Sequence, residues 1–273
     1  MSYIRLEYSE LALPALLVVM SGVCSIALQL GLERQLAVAA VRMSVQLILV
    51  GYVLTFLFAV ASPFWTAAAA VVMVAFAGHE IVARQKRRLE AIWMYGLGAG
   101  SMVLAAGTVT SLALLTQLRP DPWYHPRYSL PLFGMILGNT MTGISLGLDV
   151  LMTGAVRDRL AVEARLALGQ TRRQALLPVT RDALRNGFMP IINSMAATGV
   201  VSLPGMMTGQ ILAGVEPGDA VKYQLLIMFL IAGGTGLGTL AAVIGGAHLL
   251  TDARHRLRLE RIISEGGVKE TQS

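Results

Sequence analysis

The feature that most constrains this chain is a series of seven apolar blocks, each close to the length of a bilayer crossing. They cover about residues 11–32, 36–60, 64–83, 92–117, 130–153, 188–214 and 221–250. A helix needs about 20 mostly apolar residues to cross the hydrocarbon core at a rise of about 1.5 Å each. Lipid leaves no partner for unpaired backbone amides, so blocks of this length fold as helices. The expected fold is all-α: a polytopic membrane protein of about seven transmembrane helices, with the lipid bilayer as its main partner. Composition agrees, with 55% apolar and 14% charged residues and a mean hydropathy of +0.64. Soluble domains carry about 45–50% apolar and about 25% charged residues. No block marks a second, soluble domain, so residues 1–273 are read as one transmembrane domain.

A net charge of +6 would point to nucleic acid in a soluble protein. Here the basic residues fall between the apolar blocks, so topology accounts for them and a nucleic-acid partner is not expected. Arg84, Lys86, Arg87 and Arg88 separate blocks three and four. Arg157, Arg159, Arg165, Arg172, Arg173, Arg181 and Arg185 lie between five and six, and Arg254, Arg256, Arg258, Arg261 and Lys269 follow the seventh. The opposite loops hold only Arg5, Arg119, Arg127 and Lys222. The dense set is expected in the cytoplasm, which places the N-terminus outside and the C-terminus inside. Two cytoplasmic segments result, a loop of about 154–187 and a basic tail of about 251–273. The first block exceeds the roughly 7–15 residues of a signal-peptide core and is expected to stay as a membrane helix. Cys24, the single cysteine, reads as a small apolar core residue. Gly96 with Gly100, and Gly234 with Gly238, each fall on one helix face. They suit either packing within the chain or a dimer seam.

Residues 162–178 are too charged to insert, yet they are patterned as helix, break, helix. Gly169 suits the left-handed position that ends a helix. Thr171 and Gln174 have capping-box spacing, so a second helix starts there, and Pro178 is expected to limit or kink it. Ala175, Leu176 and Val179 among Arg172, Arg173 and Arg181 give a short amphipathic rod. Such a rod can lie in the membrane interface or offer an apolar knob to a partner's groove. The chain has no GxxxxGK[ST] phosphate loop, no HExxH and no GxSxG, so no enzymatic activity of its own is expected.

Polar groups inside the blocks are candidates for a transport path, because they are costly in lipid. Arg42 and Gln46 in block two, and His79 and Glu80 in block three, lie toward the cytoplasmic side. They sit either at headgroup depth or in a vestibule with an Arg42–Glu80 ion pair. In block five, Met135, Asn139, Thr142, Ser145 and Asp149 share a face at 100° per residue. Asp149 is also placed to pair with Arg157 or Arg159. In block six, Pro190 suits a helix start, and Leu203-Pro204-Gly205 breaks the helix about 15 residues later. Asn193 lies before that break; Met206, Met207, Thr208 and Gln210 follow it. The break is either a plain proline kink or a gate. His125 and His248 are isolated, and no cluster of metal-ligand spacing is present.

Glu163-Ala164, Gly169, Thr171, Gln174 and Leu177-Pro178 resemble the cytoplasmic coupling loop of ABC-transporter permeases. Arg165 stands where that pattern has a second alanine. The run from Leu203 to Gly214, with Arg42-Met43-Ser44-Val45-Gln46-Leu47, is similar to the FetB permease family. The resemblance implies a homodimer in the cell membrane joined to a separate cytoplasmic ABC ATPase that uses the ATP, this chain binding no cofactor itself. It also implies export of iron or a related metal. Two rival readings stay open: a transporter driven by an ion gradient, and a membrane scaffold whose basic loop recruits a soluble protein.

Overall fold

The computed structural model describes residues 8–264 except Lys86, Ala253 and His255. Arg5, Lys86 and Lys269, which entered the charge argument, lie outside the described residues, as does the tail beyond Ser264. Its helices in chain order are α1 (Ala12–Ala27), α2 (Glu33–Val60), α3 (Pro63–Arg84), α4 (Ala91–Met102), α5 (Thr108–Ala113), α6 (Pro126–Arg157), α7 (Arg159–Ala167), α8 (Arg172–Ala197), α9 (Gly205–Leu212) and α10 (Pro217–Leu249). The described residues also include two short strands, β1 (Arg87–Leu89) and β2 (Ile262–Ser264). Among the described residues five stretches are long and apolar enough to cross a membrane: α2, α3, the continuous rod Ile92–Leu118, α6 and α10. The protein is therefore an all-α, multi-pass membrane protein. The first apolar block gives only the 16 residues of α1, because the chain reverses at Gln29 and Gly31, both at positive φ.

Contacts divide the chain into two compact units, one of residues up to Ser62 with Leu212–Gly214, the other of Pro63–Ile211 with residues from Val215 onward. In the first, α1 and α2 form a hairpin whose turn is latched by one hydroxyl. Ser25 Oγ accepts from the Leu32 amide at 3.0 Å and donates to Glu33 Oε2 at 3.0 Å. Nearly every other side chain of the hairpin is exposed, and Cys24 with them, so that residue is not a core residue. A helix apolar on all sides belongs in lipid or against other apolar surface.

The second unit is built on α6, α8 and α10, which approach closely because glycines face each other. A Cβ on Gly143 would stand 2.9 Å from the Gly187 carbonyl oxygen, and one on Gly238 would stand 2.3 Å from Thr140 Cγ2. Close backbone approach replaces the hydrophobic drive that lipid does not provide. Gly234 and Gly238 thus pack within the chain, against Ile136 and Thr140, whereas Gly96 and Gly100 have no neighbour within 4 Å. Ile136, Ile144, Leu148, Leu151, Met152, Ala183 and Val243 form the fully buried centre. Helices α3 and α4 pack against each other at Gly98, whose missing Cβ makes room for Ile81. The α4–α5 rod contains two π turns, Val103–Gly107 and Leu114–Leu118, and ends at Arg119 in the left-handed region.

The basic tail folds back onto this unit. Strand β2 pairs antiparallel with β1, setting Leu89 opposite Ile262, and both side chains are buried. Asp252 organises the approach: Oδ1 accepts from the amides of Arg254 and Arg256, and Oδ2 from Arg256 Nε, each at 2.9 Å. The Arg256 amide is the main cause that holds the Asp252 carboxyl well below its ordinary value, down to about 2. Arg261 Nη1 donates to the Leu249 carbonyl at 2.7 Å, placing a cation at the C-terminal end of α10 where the helix dipole favours it.

Candidate functional site

The corner between α7 and α8 has the local structure that its sequence encodes. Gly169 adopts φ +84°, its amide donates to Leu166 O at 3.0 Å, and the Gln170 amide donates to Arg165 O at 3.1 Å. This is a Schellman closure, which satisfies carbonyls left open at a helix end. Thr171 then caps α8 with both halves of a capping box: its Oγ1 accepts from the Gln174 amide at 3.4 Å, and its own amide donates to Gln174 Oε1 at 3.0 Å. Glu163 pairs with Arg159 at 2.9 Å, and Ala164 is exposed. Arg165, the departure from the permease pattern, donates to the Ala175 carbonyl at 3.2 Å and pins α7 to α8. Leu160, Leu168 and Leu177 project into the open at 80, 82 and 40% exposure, so the corner presents apolar knobs among arginines. Asp158 is held below the usual carboxylate range by its hydrogen bond from Arg157.

Beyond the cap the structure corrects the sequence reading. Pro178 does not limit the second helix, and Pro190 does not start a new one; both lie inside α8, which runs unbroken for 26 residues. At a rise of about 1.5 Å per residue it is about 39 Å long. Each proline removes only one donor, and the rest of the helix is held by its buried stripe of Ala175, Val179, Ala183, Gly187 and Ile191. That four-residue spacing crosses both prolines and was the signal for one continuous helix. The sixth apolar block, 188–214, is accordingly not one helix. It consists of the end of α8, a break over residues 198–204, and the eight residues of α9.

The break is real and built from the backbone. Gly199 takes φ +95°, and its amide donates to Ser202 O at 2.9 Å. Val200, Val201 and Leu203 stand exposed at its tip. Pro204 is half-buried and Gly205 opens α9 in the open. Thr208 returns both its amide and its hydroxyl to the Pro204 carbonyl, at 3.0 and 3.1 Å. Met206 is exposed, Met207 half-buried, and Gln210 Oε1 is buried without a hydrogen-bond partner among the described residues.

The polar stripe of α6 divides into two environments. Asn139 and Thr142 are not buried and bond back to their own helix, at Met135 O (2.9 Å) and Gly138 O (3.2 Å). Ser145 is buried, where Gln85 from the end of α3 donates to its carbonyl at 2.9 Å. Asp149 does not pair with Arg157 or Arg159, which are engaged by Asp158 and Glu163, each at 2.9 Å. Asn193, taken as a path residue from the sequence, is exposed on the outer face of α8, and sequence reasoning passed over the rest of that face. There Asp182, Arg185 and Asn186 are exposed too, with Arg185 3.7 Å from Asp182 and Asn186 bonded to the Asp182 carbonyl at 2.9 Å. Gly143 meets Gly187, and Gly147 lies 3.5 Å from the Ala183 carbonyl through a notional Cβ, so α6 and α8 run antiparallel. In that register Asn139 and Asn193 lie at similar depth. Arg42 sits in α2 of the first unit; Glu80 sits in α3 of the second, 3.5 Å from Arg84. His125 caps α6, its Nδ1 accepting from the Arg127 amide at 3.3 Å, and His248 Nδ1 bonds to Ile244 O at 2.8 Å. Among the described residues no three His, Cys, Asp or Glu side chains gather as a metal cage.

The model of the Uncharacterised protein family (UPF0014) matches residues 8–250. The chain belongs to that family. It is 40% identical to the UPF0014 membrane protein slr1647 of Synechocystis over 214 residues, 78% of this chain and 81% of the relative. It is 31% identical over 248 residues to the Probable iron export permease protein FetB of Escherichia coli, covering 91% of this chain and 93% of the relative. Protein ALUMINUM SENSITIVE 3 of Arabidopsis thaliana is 31% identical over 225 residues, 82% of this chain and 80% of the relative. No solved structure matches.

Proposed function

We propose that this UPF0014 protein is the membrane-spanning permease subunit of an ATP-driven exporter of iron or a related metal, working as two copies in the cell membrane with a separate ABC ATPase. The observation that carries the proposal is the continuity of α8. The capped corner at Gly169 and Thr171 and the break at residues 198–204 are the two ends of one helix. A displacement at the corner is therefore delivered to the break without an intervening hinge. The exposed leucines of the α7–α8 corner supply the apolar knob that a groove on the ATPase accepts. The exposed polar face of α8, from Asp182 to Asn193, cannot rest in lipid at low cost and suits a water-filled path between two copies. Gly96 and Gly100, open on the α4 surface, suit the approach of a second copy. The metal follows from the names of the relatives, and the direction of transport from the Escherichia coli relative.

The test is a pull-down of the tagged chain from its native membrane in mild detergent, beside a variant lacking residues 163–178. Recovery of a phosphate-loop ATPase with the intact chain, and its loss from the inserted deletion variant, is the expected result. Absence of such a partner from both samples would contradict the proposal.

A further inference from the structure

The lower half of the α6 stripe contains acceptors without donors. Gln85 is 5% exposed, and its Nε2 donates to the Ser145 carbonyl at 2.9 Å and approaches Ser145 Oγ at 3.4 Å. A carbonyl can only accept, which fixes the amide orientation and turns Gln85 Oε1 away from Ser145. That oxygen is buried and has no hydrogen-bond partner among the described residues; the same is true of Asp149 Oδ1. The two are neighbours by helix geometry. The Ser145 carbonyl is the one that accepts from the Asp149 amide in an unbroken α6, and Asp149 lies one turn further along the same face. Helical side chains lean toward the N-terminus, the direction in which Ser145 and its partner Gln85 lie from Asp149. Arg157 and Arg159 are committed to Asp158 and Glu163. Two buried oxygens without donors, set about one helical turn apart around Ser145 and one of them a carboxylate's, call for a positive centre within reach of both.

We propose that Asp149, Gln85 and Ser145 form a binding site for a hard divalent cation, near the cytoplasmic end of α6. One carboxylate with neutral oxygens is the donor set of an ion that keeps several waters. Asp149 as a whole is only half-buried, so the remaining coordination positions face water. With a single charge the site holds its ion weakly, as a conduit needs and a storage site does not. As a station for cargo the site rests on the permease reading; as a binding site it does not.

The experiment is a titration of Mn²⁺ into the purified full-length chain in detergent, reading free Mn²⁺ by its paramagnetic resonance signal. The wild type is expected to remove Mn²⁺ from solution, Asp149→Asn to weaken this at least about tenfold, and Gln85→Leu to weaken it about threefold. Asp149→Asn supplies a donor to Gln85 Oε1, so in metal-free buffer it should unfold no lower than wild type, which separates lost binding from lost folding. Mn²⁺ uptake unchanged in Asp149→Asn would overturn the proposal, because the ions would then sit elsewhere, for example on the tail carboxylates. No uptake by wild type, together with an infrared band of a protonated carboxylic acid that vanishes in Asp149→Asn, would also overturn it by assigning the missing donor to a proton. Neither result depends on the ATPase, so failure here leaves the pull-down outcome intact.

Discussion

Helix α2 of the hairpin and helix α10 of the core are similarly apolar in sequence but differ sharply in packing. Only 6% of the most apolar stretch of α2 is buried within the chain, against 56% in both α6 and α10. In the core, glycines let backbones meet: a Cβ on Gly187 would stand 2.8 Å from the Gly143 carbonyl oxygen. In the hairpin, Gly22 and Gly51 face open space along an apolar groove of about 1260 Å³. The difference teaches that hydropathy sets where a helix resides, and small residues in register set what it packs against. The core derives its stability from its own contacts, whereas the hairpin relies on its surroundings.

Substitutions can break or sharpen this contrast, read by thermal unfolding in detergent or bilayers. Ile144→Ala, at a fully buried position, should cost about 2–5 kcal/mol, whereas Leu17→Ala in α1 should stay within about 0.5 kcal/mol. Equal losses at the two positions would mean that the hairpin is as tightly packed as the core. Next in size, Gly187→Ala should cost about 1–3 kcal/mol, because backbone stands where its methyl would go. Its counterpart Gly51→Ala should be neutral or stabilising by up to about 1 kcal/mol, since only helix propensity changes. Thr171→Ala should cost about 1 kcal/mol through loss of the capping box, and should leave both helical regions otherwise intact.

The smallest effect concerns the tail. The Asp252 carboxyl titrates at about 2 in the folded protein, below its ordinary 3.8. Its contribution is therefore complete above about pH 4 and is lost as the pH falls through about 2. Amide exchange at Arg254 and Arg256 should accelerate, beyond its intrinsic pH dependence, over that window. Asp252→Asn should remove the extra acceleration, and no such window in wild type would contradict the Asp252 contacts.

Local chemistry was the most legible part of the sequence. Gly169, Thr171 and Gln174 announced a helix end and a helix start, and both are present with the expected bonds. The Leu203-Pro204-Gly205 interruption was legible too, although the helix already ends at Ala197. What local reading missed were features whose cause lies in a neighbouring element. Pro178 and Pro190 looked like boundaries, yet α8 persists because its four-residue stripe from Ala175 to Ile191 is buried against the core. The β1–β2 pairing was hidden because each strand has three residues and they are far apart in the chain. Its one sequence trace was the alternation Arg256-Leu257-Arg258-Leu259 before Ile262, a strand-like period in a basic tail. Asp149 looked pairable with Arg157 by spacing, but Asp158 stands adjacent to that arginine and takes it.

The central claim is that one stiff helix joins the α7–α8 corner to the break. Its most direct test is a pulsed dipolar distance between spin labels at Arg173 and Ala196, both exposed, in a Cys24→Ser background. An unbroken α8 places the two backbone positions about 35 Å apart, at about 1.5 Å per residue. With labelled chains diluted into unlabelled ones, a single narrow distribution near that distance, unchanged when the proposed ATPase partner is added with or without nucleotide, is the predicted result. A broad or shorter distribution, or one that shifts with nucleotide, would mean that Pro178 or Pro190 acts as a hinge, and α8 could not transmit motion as a rigid lever.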